Sequence, residues 1–406
     1  MGRKGIYPPS VKPGIPKLGP QPKGWRKVTF GDILDVAVRP AIVKDDDVYH
    51  LIVAKRNRGG IVPRESLRGR DILTKTQFFV ATDDFLISKR QIIHGACGIV
   101  PKSLDGALVS NEYTTLLARK DLLLEFLGWL SHSAHFQKTC FHSSVGVDVE
   151  KMVFRSERWM REELYLPPLS EQKTICDMLG AWDIASEQSK SLIRAKVRFG
   201  EVLARKLLSG SSAEGWREFS LDELCRDIGS GGTPSTKIHS HWCGSIPWIT
   251  GADITDEGVE RARRHITKGA VEQSSTRLCA PGIVLLVTRT NVGKITLAPY
   301  QMAISQDITA LEPKADLIEA PFLRASLATS MPQLLRFNQG TAISGITRKM
   351  LVRHRIRVPA LQVQKKISDA LCAVEREASL LRQRLTLWER QRAGLLQKLV
   401  TGDLRI

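Results

Sequence analysis

The sequence Pro167-Pro168-Leu169-Ser170-Glu171-Gln172, in the middle of the chain, returns near its end as Pro359-Ala360-Leu361-Gln362-Val363-Gln364. These stretches open a repeat, residues 167–210 and 359–402, whose copies align without a gap at a spacing of 192 positions. The positions that are identical in both copies are, numbered in the first copy, Pro167, Leu169, Gln172, Lys173, Ile175, Asp177, Leu179, Ala181, Arg198, Leu203, Lys206, Leu207 and Gly210. Because internal repeats set the architecture of a chain, this repeat decides the fold.

A shorter match precedes each copy of the repeat. Gly24-Trp25-Arg26 recurs as Gly215-Trp216-Arg217. Between the matched pieces, the sequences of the two halves look unrelated. A repeated frame that carries two dissimilar inserts indicates a protein that holds two different recognition modules in a fixed relation.

The second copy of the repeat has the apolar spacing of a long amphipathic helix. Apolar residues recur at alternating steps of four and three, with one step skipped at Arg392, which is an a/d heptad seam. The seam residues are Ile367, Leu371, Val374, Ala378, Leu381, Leu385, Trp388, Leu395 and Leu399. The proline and glycine signals at its two ends predict a helix from just after Pro359 to Gly402. At ~1.5 Å per residue, this helix would be a rod of about 58 Å.

The first copy predicts a similar but less regular helix. Its seam residues are Ile175, Leu179, Trp182, Ile193, Leu203 and Leu207. Ser186, Ser189 and Lys196 interrupt the seam, and a parallel stripe consists of Met178, Ala185, Leu192 and Phe199. Two apolar stripes on one helix indicate more than one packing partner. We therefore expect the two helices to pair antiparallel, with the inserted domains at opposite ends; the alternative is that each helix packs only on its own domain.

The segments between the helices predict an α+β domain in each half. Short runs rich in β-branched and aromatic residues predict strands at 78–80, 85–87, 283–287 and 308–311, and helices are expected at 122–135 and 320–337. The predicted organisation is a flexible Pro-, Gly- and Lys-rich tail over 1–22, a first domain over 23–165, a central helix over 166–210, a second domain over 211–357 and a distal helix over 358–406.

The charge balance of the chain favours polyanionic partners. Sixty Lys and Arg residues against 42 Asp and Glu residues leave a formal net charge of +18. Such a field attracts nucleic acid first and an anionic membrane surface second. No apolar run approaches the ~18 residues that a membrane span needs. The seven cysteines are scattered singly, which favours a reducing cytoplasm and a role as small core residues.

Polar and basic clusters stand at the ends of the predicted strands. Arg, Lys, Asn and Gln are the side chains that pair with base edges in the major groove, while further Lys and Arg residues hold phosphates. The candidate DNA contacts of the first segment are Lys55, Arg56, Asn57, Arg58, Lys75, Gln77, Lys89, Arg90 and Gln91. Those of the second segment are Ser230, Gly231, Gly232, Thr233, Arg289, Asn291, Lys294, Gln306, Asn338 and Gln339. Each cluster alone is more simply explained as a solvated loop. Together, on a chain with this positive charge, the clusters favour DNA as the binding partner.

Motifs for catalysis and for cofactor binding are incomplete in this sequence. The turn at 229–235 lacks the spacing of a phosphate-binding loop, and Gly293-Lys294 is followed by Ile295 instead of a hydroxyl residue. His239, His241 and Cys243 lack the four-ligand spacing of a structural zinc site. We therefore expect no catalytic residues, no metal and no cofactor in this chain.

The repeated helix starts and ends resemble those of the specificity subunits of Type I restriction–modification systems. The marks of this resemblance are the two Pro-x-Leu-x-x-Gln starts, the ends Lys206-Leu207-Leu208-Ser209-Gly210 and Lys398-Leu399-Val400-Thr401-Gly402, and the second-segment stretches 230–235, Ile246-Pro247-Trp248 and 289–294. Val363 stands where the family usually has Glu, and Thr290 follows Arg289 where Gly is commoner. The resemblance spans residues 24 to 402.

This resemblance implies a non-catalytic DNA-binding subunit with two target recognition domains. Each domain would recognise one half of an interrupted, asymmetric sequence in double-stranded DNA, and the helices would act as the spacer. Modification subunits, two by expectation, would dock on the repeated helices, and restriction subunits would join them. S-adenosylmethionine, ATP and Mg²⁺ would serve those partners only.

Three other interpretations remain open at this point. An RNA-binding adaptor would need exposed aromatic residues for base stacking, and aromatic residues make up only 6% of the chain. A coiled-coil scaffold whose inserts bind proteins would show little salt-dependent binding of nucleic acid. A fused enzyme with an unrecognised active site would transfer methyl groups as a purified chain.

Overall fold

The computed structural model of the protein describes residues 7–8, 10–209, 215–259, 261–336 and 345–405. The chain forms two compact units: Met1–Gln188 with Thr386–Ile406 is unit 1, and Ser189–Leu385 is unit 2. Both boundaries fall inside the long repeated helices, so each unit contains a part of each helix.

Unit 1 contains thirteen strands within its described residues. They are β1 (Arg26–Thr29), β2 (Leu34–Ala37), β3 (Pro40–Ala41), β4 (Val48–Ala54), β5 (Ile61–Arg68), β6 (Gln77–Phe79), β7 (Phe85–Ser88), β8 (Cys97–Ile99), β9 (Leu108–Ser110), β10 (Tyr113–Ala118), β11 (Ser144–Val145), β12 (Val153–Phe154) and β13 (Glu163–Leu166). Its helices are α1 (Phe30–Ile33), α2 (Leu124–Leu130), α3 (Ala134–His142), α4 (Ser156–Trp159), the first part of α5 (Leu169–Leu208) and the last part of α10 (Leu361–Thr401).

Unit 2 continues the chain from the second part of α5. Its strands are β14 (Arg217–Ser220), β15 (Cys225–Ser230), β16 (Ile246–Ile249), β17 (Ile254–Thr255), β18 (Gly258–Val259), β19 (Arg264–Ile266), β20 (Arg277–Cys279), β21 (Val284–Val287), β22 (Ile295–Leu297), β23 (Met302–Ile304), β24 (Ile308–Pro313) and β25 (Arg355–Val358). Its helices are α6 (Leu221–Leu224), α7 (Lys268–Glu272), α8 (Ala320–Arg336), α9 (Arg348–Arg353) and most of α10 (Leu361–Thr401).

The two units have matching sheets although their sequences look unrelated. The order β2-β10-β7-β8 in unit 1 corresponds to β15-β24-β21-β22 in unit 2. The order β3-β6-β9-β4-β5 corresponds to β20-β23-β16-β19, with β3 as an extra edge strand. In each of these second sheets one pair is parallel, β4 with β9 and β16 with β23. The internal repeat therefore extends through the domains as topology without sequence identity.

The repeated sequence motifs meet in each unit. β1 pairs antiparallel with β13, Arg26 opposite Leu166, and β14 pairs with β25, Arg217 opposite Val358. The Gly-Trp-Arg motif is thereby hydrogen-bonded to the strand that leads into the repeated helix. The two short matches in the sequence are parts of one structural frame.

The repeated glutamines fasten each long helix to its domain. Gln172 is fully buried; its amide nitrogen donates to the carbonyls of Asp121 (2.8 Å) and Pro167 (2.9 Å), and its carbonyl accepts from the Leu123 amide (2.8 Å). Gln364 repeats this pattern. Its amide nitrogen donates to the carbonyls of Leu317 (3.0 Å) and Pro359 (2.9 Å), and its carbonyl accepts from the Glu319 amide (3.0 Å). The motif that defined the repeat is thus a buried clamp between the helix start and the loop before α2 or α8.

The predicted helix seams are the faces of α5 and α10 that are withdrawn from solvent. Ile175, Leu179, Ile193, Ile367 and Leu371 are buried. The remaining predicted packing residues, Trp182, Leu203, Val374, Leu381, Leu385, Trp388 and Leu395, are half-buried. α10 begins at Leu361 and ends at Thr401, with Gly402 at φ 78°, as predicted; the predicted stop at Gly210 lies outside the described residues.

Within each unit, the segments of α5 and α10 contact each other. In unit 1 the rings of Trp182 and Trp388 meet edge to face at 6.2 Å, and Arg392 lies 2.5 Å from the Asp183 carboxylate. In unit 2 the Lys196 ammonium pairs with Glu377 at 2.7 Å. The predicted interruptions are therefore part of the seam: Ser186 is buried, and Ser189, Lys196 and Arg392 are half-buried.

Some sequence-based expectations are wrong. The single helix expected at 122–135 is two helices, α2 and α3, because the chain turns at Ser131–Ser133 and the Ser133 hydroxyl caps α3. The tail is not free over residues 10–22, since Val11 is buried and Gly19 accepts a hydrogen bond from Tyr165. Residues 1–6 lie outside the described part. Cys243 is exposed instead of being a core residue. The strands expected at 78–80, 85–87, 283–287 and 308–311 correspond to β6, β7, β21 and β24.

Candidate nucleic-acid interface

Two of the predicted clusters of the first domain come together. Arg56 lies in the turn between β4 and β5, and its Nε donates to the side-chain oxygen of Gln91 at 2.7 Å, in the loop after β7. The same guanidinium donates to Glu150 at 2.8 Å. The turn is tight: Asn57 and Arg58 have left-handed φ angles of 57° and 58°. Lys55, Arg56 and Asn57 are exposed on it.

Arg58 differs from its neighbours because its side chain points inward. Its guanidinium packs over Gly95, where a Cβ would lie 3.3 Å from Nε and Nη2, and its Nε is buried without a hydrogen-bond partner among the described residues. Burial lowers the pKa of this guanidinium. The positive charge therefore lies beneath the loop, and a direct base contact by Arg58 would need the turn to open.

Lys89 and Arg90 follow β7 directly and contact the loop between β9 and β10. Lys89 Nζ donates to the carbonyl of Asn111 at 2.7 Å, and Arg90 forms a two-point ion pair with Glu112 at 2.8 and 3.3 Å. Glu112 was not among the predicted contacts because an acidic side chain is repelled by phosphates; the polar loop between two apolar runs was the available signal.

The side chains of Lys75 and Gln77 both donate to nearby backbone carbonyls. Gln77 is 4% exposed and its amide donates to the Thr74 carbonyl at 2.7 Å, so the prediction that it contacts DNA is wrong for this conformation. Lys75 Nζ donates to the Gly69 carbonyl at 2.8 Å.

The described candidate residues of the second domain lie in three regions that hydrogen-bond to one another. The Ser230 hydroxyl is 2.9 Å from that of Thr309, which is 3.1 Å from Thr288. The Thr233 hydroxyl donates to Gln306. The end of β15, the start of the β21–β22 loop and the β23–β24 loop are therefore joined at one edge of this domain.

The glycines and the lysine of this region pack inward. A side chain at Gly231 would run into the Ile304 carbonyl, and one at Gly232 into Ser275, so the two glycines allow close strand packing and offer little contact surface. Lys294 Nζ donates to the Ile254 carbonyl at 2.9 Å. Arg289 and Asn291 are exposed. Asn338 and Gln339 lie outside the described residues.

Burial raises the pKa of Cys97 to about 12, so its thiol stays protonated. The described residues contain no cluster of three His, Cys, Asp or Glu side chains that could hold a metal ion. No helix within the described part is long and apolar enough to cross a membrane.

The fold and these loops define a duplicated recognition protein, in which two like-built domains expose polar loops at matched sheet edges and each domain runs into a long helix. Residues 213–387 match the family model described as the Type I restriction modification DNA specificity domain. Over this stretch, a little under half of its length, the chain is similar to the specificity subunits of Type I restriction–modification systems.

One curated relative and two solved structures are also similar to the chain. The specificity subunit of Type I restriction enzyme MjaIX from Methanocaldococcus jannaschii is 28% identical over 149 residues, 36% of this chain and 34% of that protein. The chain thus matches about a third of the length of that relative. The HsdS subunit from Thermoanaerobacter tengcongensis has a similar fold, with a TM-score of 0.55 and 21% identity over 95% of this chain and 100% of that chain. A chain from a structure on the complex assembly and conformational transition of the type I R-M system also has a similar fold. Its TM-score is 0.64 and its sequence identity is 20%, over 96% of this chain and 100% of that chain.

Proposed function

We propose that this chain is the non-catalytic DNA-specificity subunit of a Type I restriction–modification complex. Its two domains recognise the two halves of an interrupted, asymmetric DNA sequence. The observation that carries this proposal is the repetition of strand order in both units, with different side chains at the matched loops. A duplicated scaffold with dissimilar loops suits two half-sites of different sequence, because base contacts come from loop side chains while the scaffold positions them.

We propose further that the long helices are the spacer between the half-sites. Each unit contains contacts between α5 and α10, Trp182 with Trp388 in one unit and Lys196 with Glu377 in the other. In unit 2 the Cβ that an alanine would add at Gly200 lies 3.4 Å from Val374. Within unit 2, Lys196 contacts Glu377 and the later residue Gly200 lies next to the earlier residue Val374, which is the order of antiparallel helices.

The partners that we propose are two modification subunits and the restriction subunits. The repeated helices are the surface for the modification subunits, and α5 offers exposed apolar side chains at Ile184, Leu192 and Phe199. S-adenosylmethionine, ATP and Mg²⁺ belong to those partners in this proposal. One of the solved chains of similar fold comes from work on the assembly of such a complex.

The test is selection from a pool of randomised DNA duplexes by the purified full-length chain together with the subunits that co-purify with it. The proposal predicts an enriched motif of two defined halves separated by a gap without base preference. Affinity for that motif should fall steeply with salt, since each neutralised phosphate adds about −0.9 to the slope of log affinity against log salt concentration. A pool without enrichment, or RNA competing as well as duplex DNA, would contradict the proposal.

A further inference from the structure

The repeated sheets allow the loops of the two domains to be matched residue by residue. The Lys89 amide donates to the Glu112 carbonyl at 2.8 Å, and the Thr288 amide donates to the Asp307 carbonyl at 2.8 Å. On the other side of each loop, the Ser88 amide donates to the Ala96 carbonyl at 3.0 Å. The Val287 amide donates to the Lys294 carbonyl at 2.8 Å. Because the backbone bonds are the same in both domains, Lys89 is equivalent to Thr288 and Glu112 is equivalent to Asp307.

Arg90 and Arg289 therefore occupy the same position, one residue after the matched amide. Both side chains are exposed. They belong to sequence segments without detectable similarity, in loops of different length. An arginine at the same exposed position of each domain is what a shared base-contacting position requires, since arginine pairs through two bonds with O6 and N7 of guanine.

The two arginines differ in the partners of their guanidinium groups. Arg90 donates from Nε to Glu112 Oε2 at 2.8 Å and from Nη2 to Oε1 at 3.3 Å. Both side chains of this pair stay half-exposed, at 56% and 42%. Such a pair occupies the Nε edge of the guanidinium and leaves the Nη1–Nη2 edge with donors to spare.

Arg289 has no ion-pair or hydrogen-bond partner among the described residues. The residue that matches Glu112 is Asp307, which is one methylene shorter, and its carboxylate accepts instead from the Ser305 hydroxyl at 3.4 Å. The first domain thus contains a brace for its arginine that has no counterpart among the described residues of the second domain.

Resting on the proposed function, we infer that Glu112 is a positioning residue for DNA recognition by the first domain. It fixes Arg90 so that the free edge of the guanidinium faces a guanine, and it contributes to base preference only through Arg90. Arg289 contacts a base in the other half-site without such a brace. A held guanidinium loses less conformational entropy on binding and tolerates fewer alternative partners, so the braced position is the more selective one.

The experiment repeats the duplex selection with Arg90→Ala, Glu112→Gln, the double variant and Arg289→Ala. Arg90→Ala should reduce the preference at one base pair of one half-site roughly ten- to hundredfold. Glu112→Gln should reduce the preference at the same base pair by a smaller factor, and the double variant should match Arg90→Ala. Arg289→Ala should affect one base pair of the other half-site only.

The matched control is Asp35→Asn. Asp35 forms the same two-point exposed pair with Arg119, at 3.1 and 2.7 Å, at the opposite end of β10 from Glu112. This control should leave every preference unchanged. The inference is overturned if Glu112→Gln leaves its base pair unchanged, raises the preference, or adds to the effect of Arg90→Ala. Failure of the wild-type chain to enrich any motif would instead overturn the proposed function.

Discussion

Gln172 and Gln364 are the residues whose conservation between the two halves has the clearest physical cause. Each is buried and satisfies two carbonyls and one amide of the loop that it clamps. Replacing either by Ala removes these bonds and leaves buried backbone groups unpaired, each of which costs about 1–3 kcal/mol. We expect Gln172→Ala and Gln364→Ala to lower the free energy of unfolding by at least ~2 kcal/mol in urea titrations.

The neighbouring Gln362 provides the control for this prediction, because it is exposed on the same helix turn. Gln362→Ala should stay within about 0.5 kcal/mol of the wild type. Equal losses for Gln362 and Gln364 would contradict the clamp.

His132 makes the stability of the first unit depend on pH, and the direction of this dependence follows from its lowered pKa. Burial, followed by the positive charges of Arg58 and Arg392, lowers its pKa to about 4. An unfolded histidine titrates near 6.5, so between these values the unfolded chain binds a proton that the folded chain does not. Stability contributed by neutral His132 is therefore complete above about pH 6.5 and is lost as the pH falls towards 4.

The measurement is the difference in melting temperature between pH 7 and pH 5. His132→Gln should make this difference smaller than in the wild type, since glutamine binds no proton in either state. His50→Gln, at an exposed position on β4, is the comparison variant. An unchanged pH difference in His132→Gln would show that the histidine does not contribute.

At the scale of elements, the long helices carry glycines that their contacts do not require. A Cβ at Gly180 in α5, or at Gly394 in α10, would have no atom of the described residues within 4 Å. Since glycine costs about 1 kcal/mol relative to alanine inside a helix, Gly180→Ala and Gly394→Ala should each stabilise the chain by up to that amount. Thermal unfolding of the two variants checks this.

Gly200 is the matched contrast on α5. A side chain longer than alanine there would enter the space of Val374, so Gly200→Leu should destabilise the second unit while Gly180→Leu should not. Equal melting temperatures for the two leucine variants would contradict the packing described for this seam.

The seams also show what the sequence could predict of an element and what it could not. Their apolar positions follow from the heptad spacing alone. The polar positions of the seams do not follow from that spacing. Lys196 and Arg392 lie in the seam because they pair with Glu377 and Asp183, which are far away in sequence. Sequence periodicity detects burial of apolar groups, whereas a paired charge can occupy a seam without altering the pattern.

For the whole molecule, the spacer proposal predicts the effect of lengthening both helices. A seven-residue insertion in each keeps the a/d seam in phase and adds about 10.5 Å at ~1.5 Å per residue. With ~3.4 Å per base pair, the recognised gap should grow by about three base pairs while both half-sites stay the same. Duplex selection with the lengthened chain measures this directly.

An insertion of the same length in the exposed turn at Asp45–Asp47 is the control, and it should leave the gap unchanged. Altered half-sites with an unchanged gap in the lengthened chain would contradict the spacer.

The candidate site was predictable as a set of loops but not as a set of side chains. Strand ends and polar composition singled out loops that follow β4, β7, β15, β21 and β23 in the structure. The inward turn of Arg58, the burial of Gln77 and the close packing of Gly231 depend on the third dimension, in which each residue meets strands distant in sequence. The match between Arg90 and Arg289 follows from the paired backbone bonds and has no trace in the sequence.

The division of both long helices between the units has a consequence for synthesis on the ribosome. The second unit is one uninterrupted stretch and can close as soon as Leu385 has emerged, whereas the core of the first contains Leu396, Leu399 and Val400. The domain that is made first must therefore wait, with an apolar patch uncovered, for the final turns of the last helix. Nascent chains stalled before residue 386 should recruit chaperones through that N-terminal domain and release them once translation proceeds.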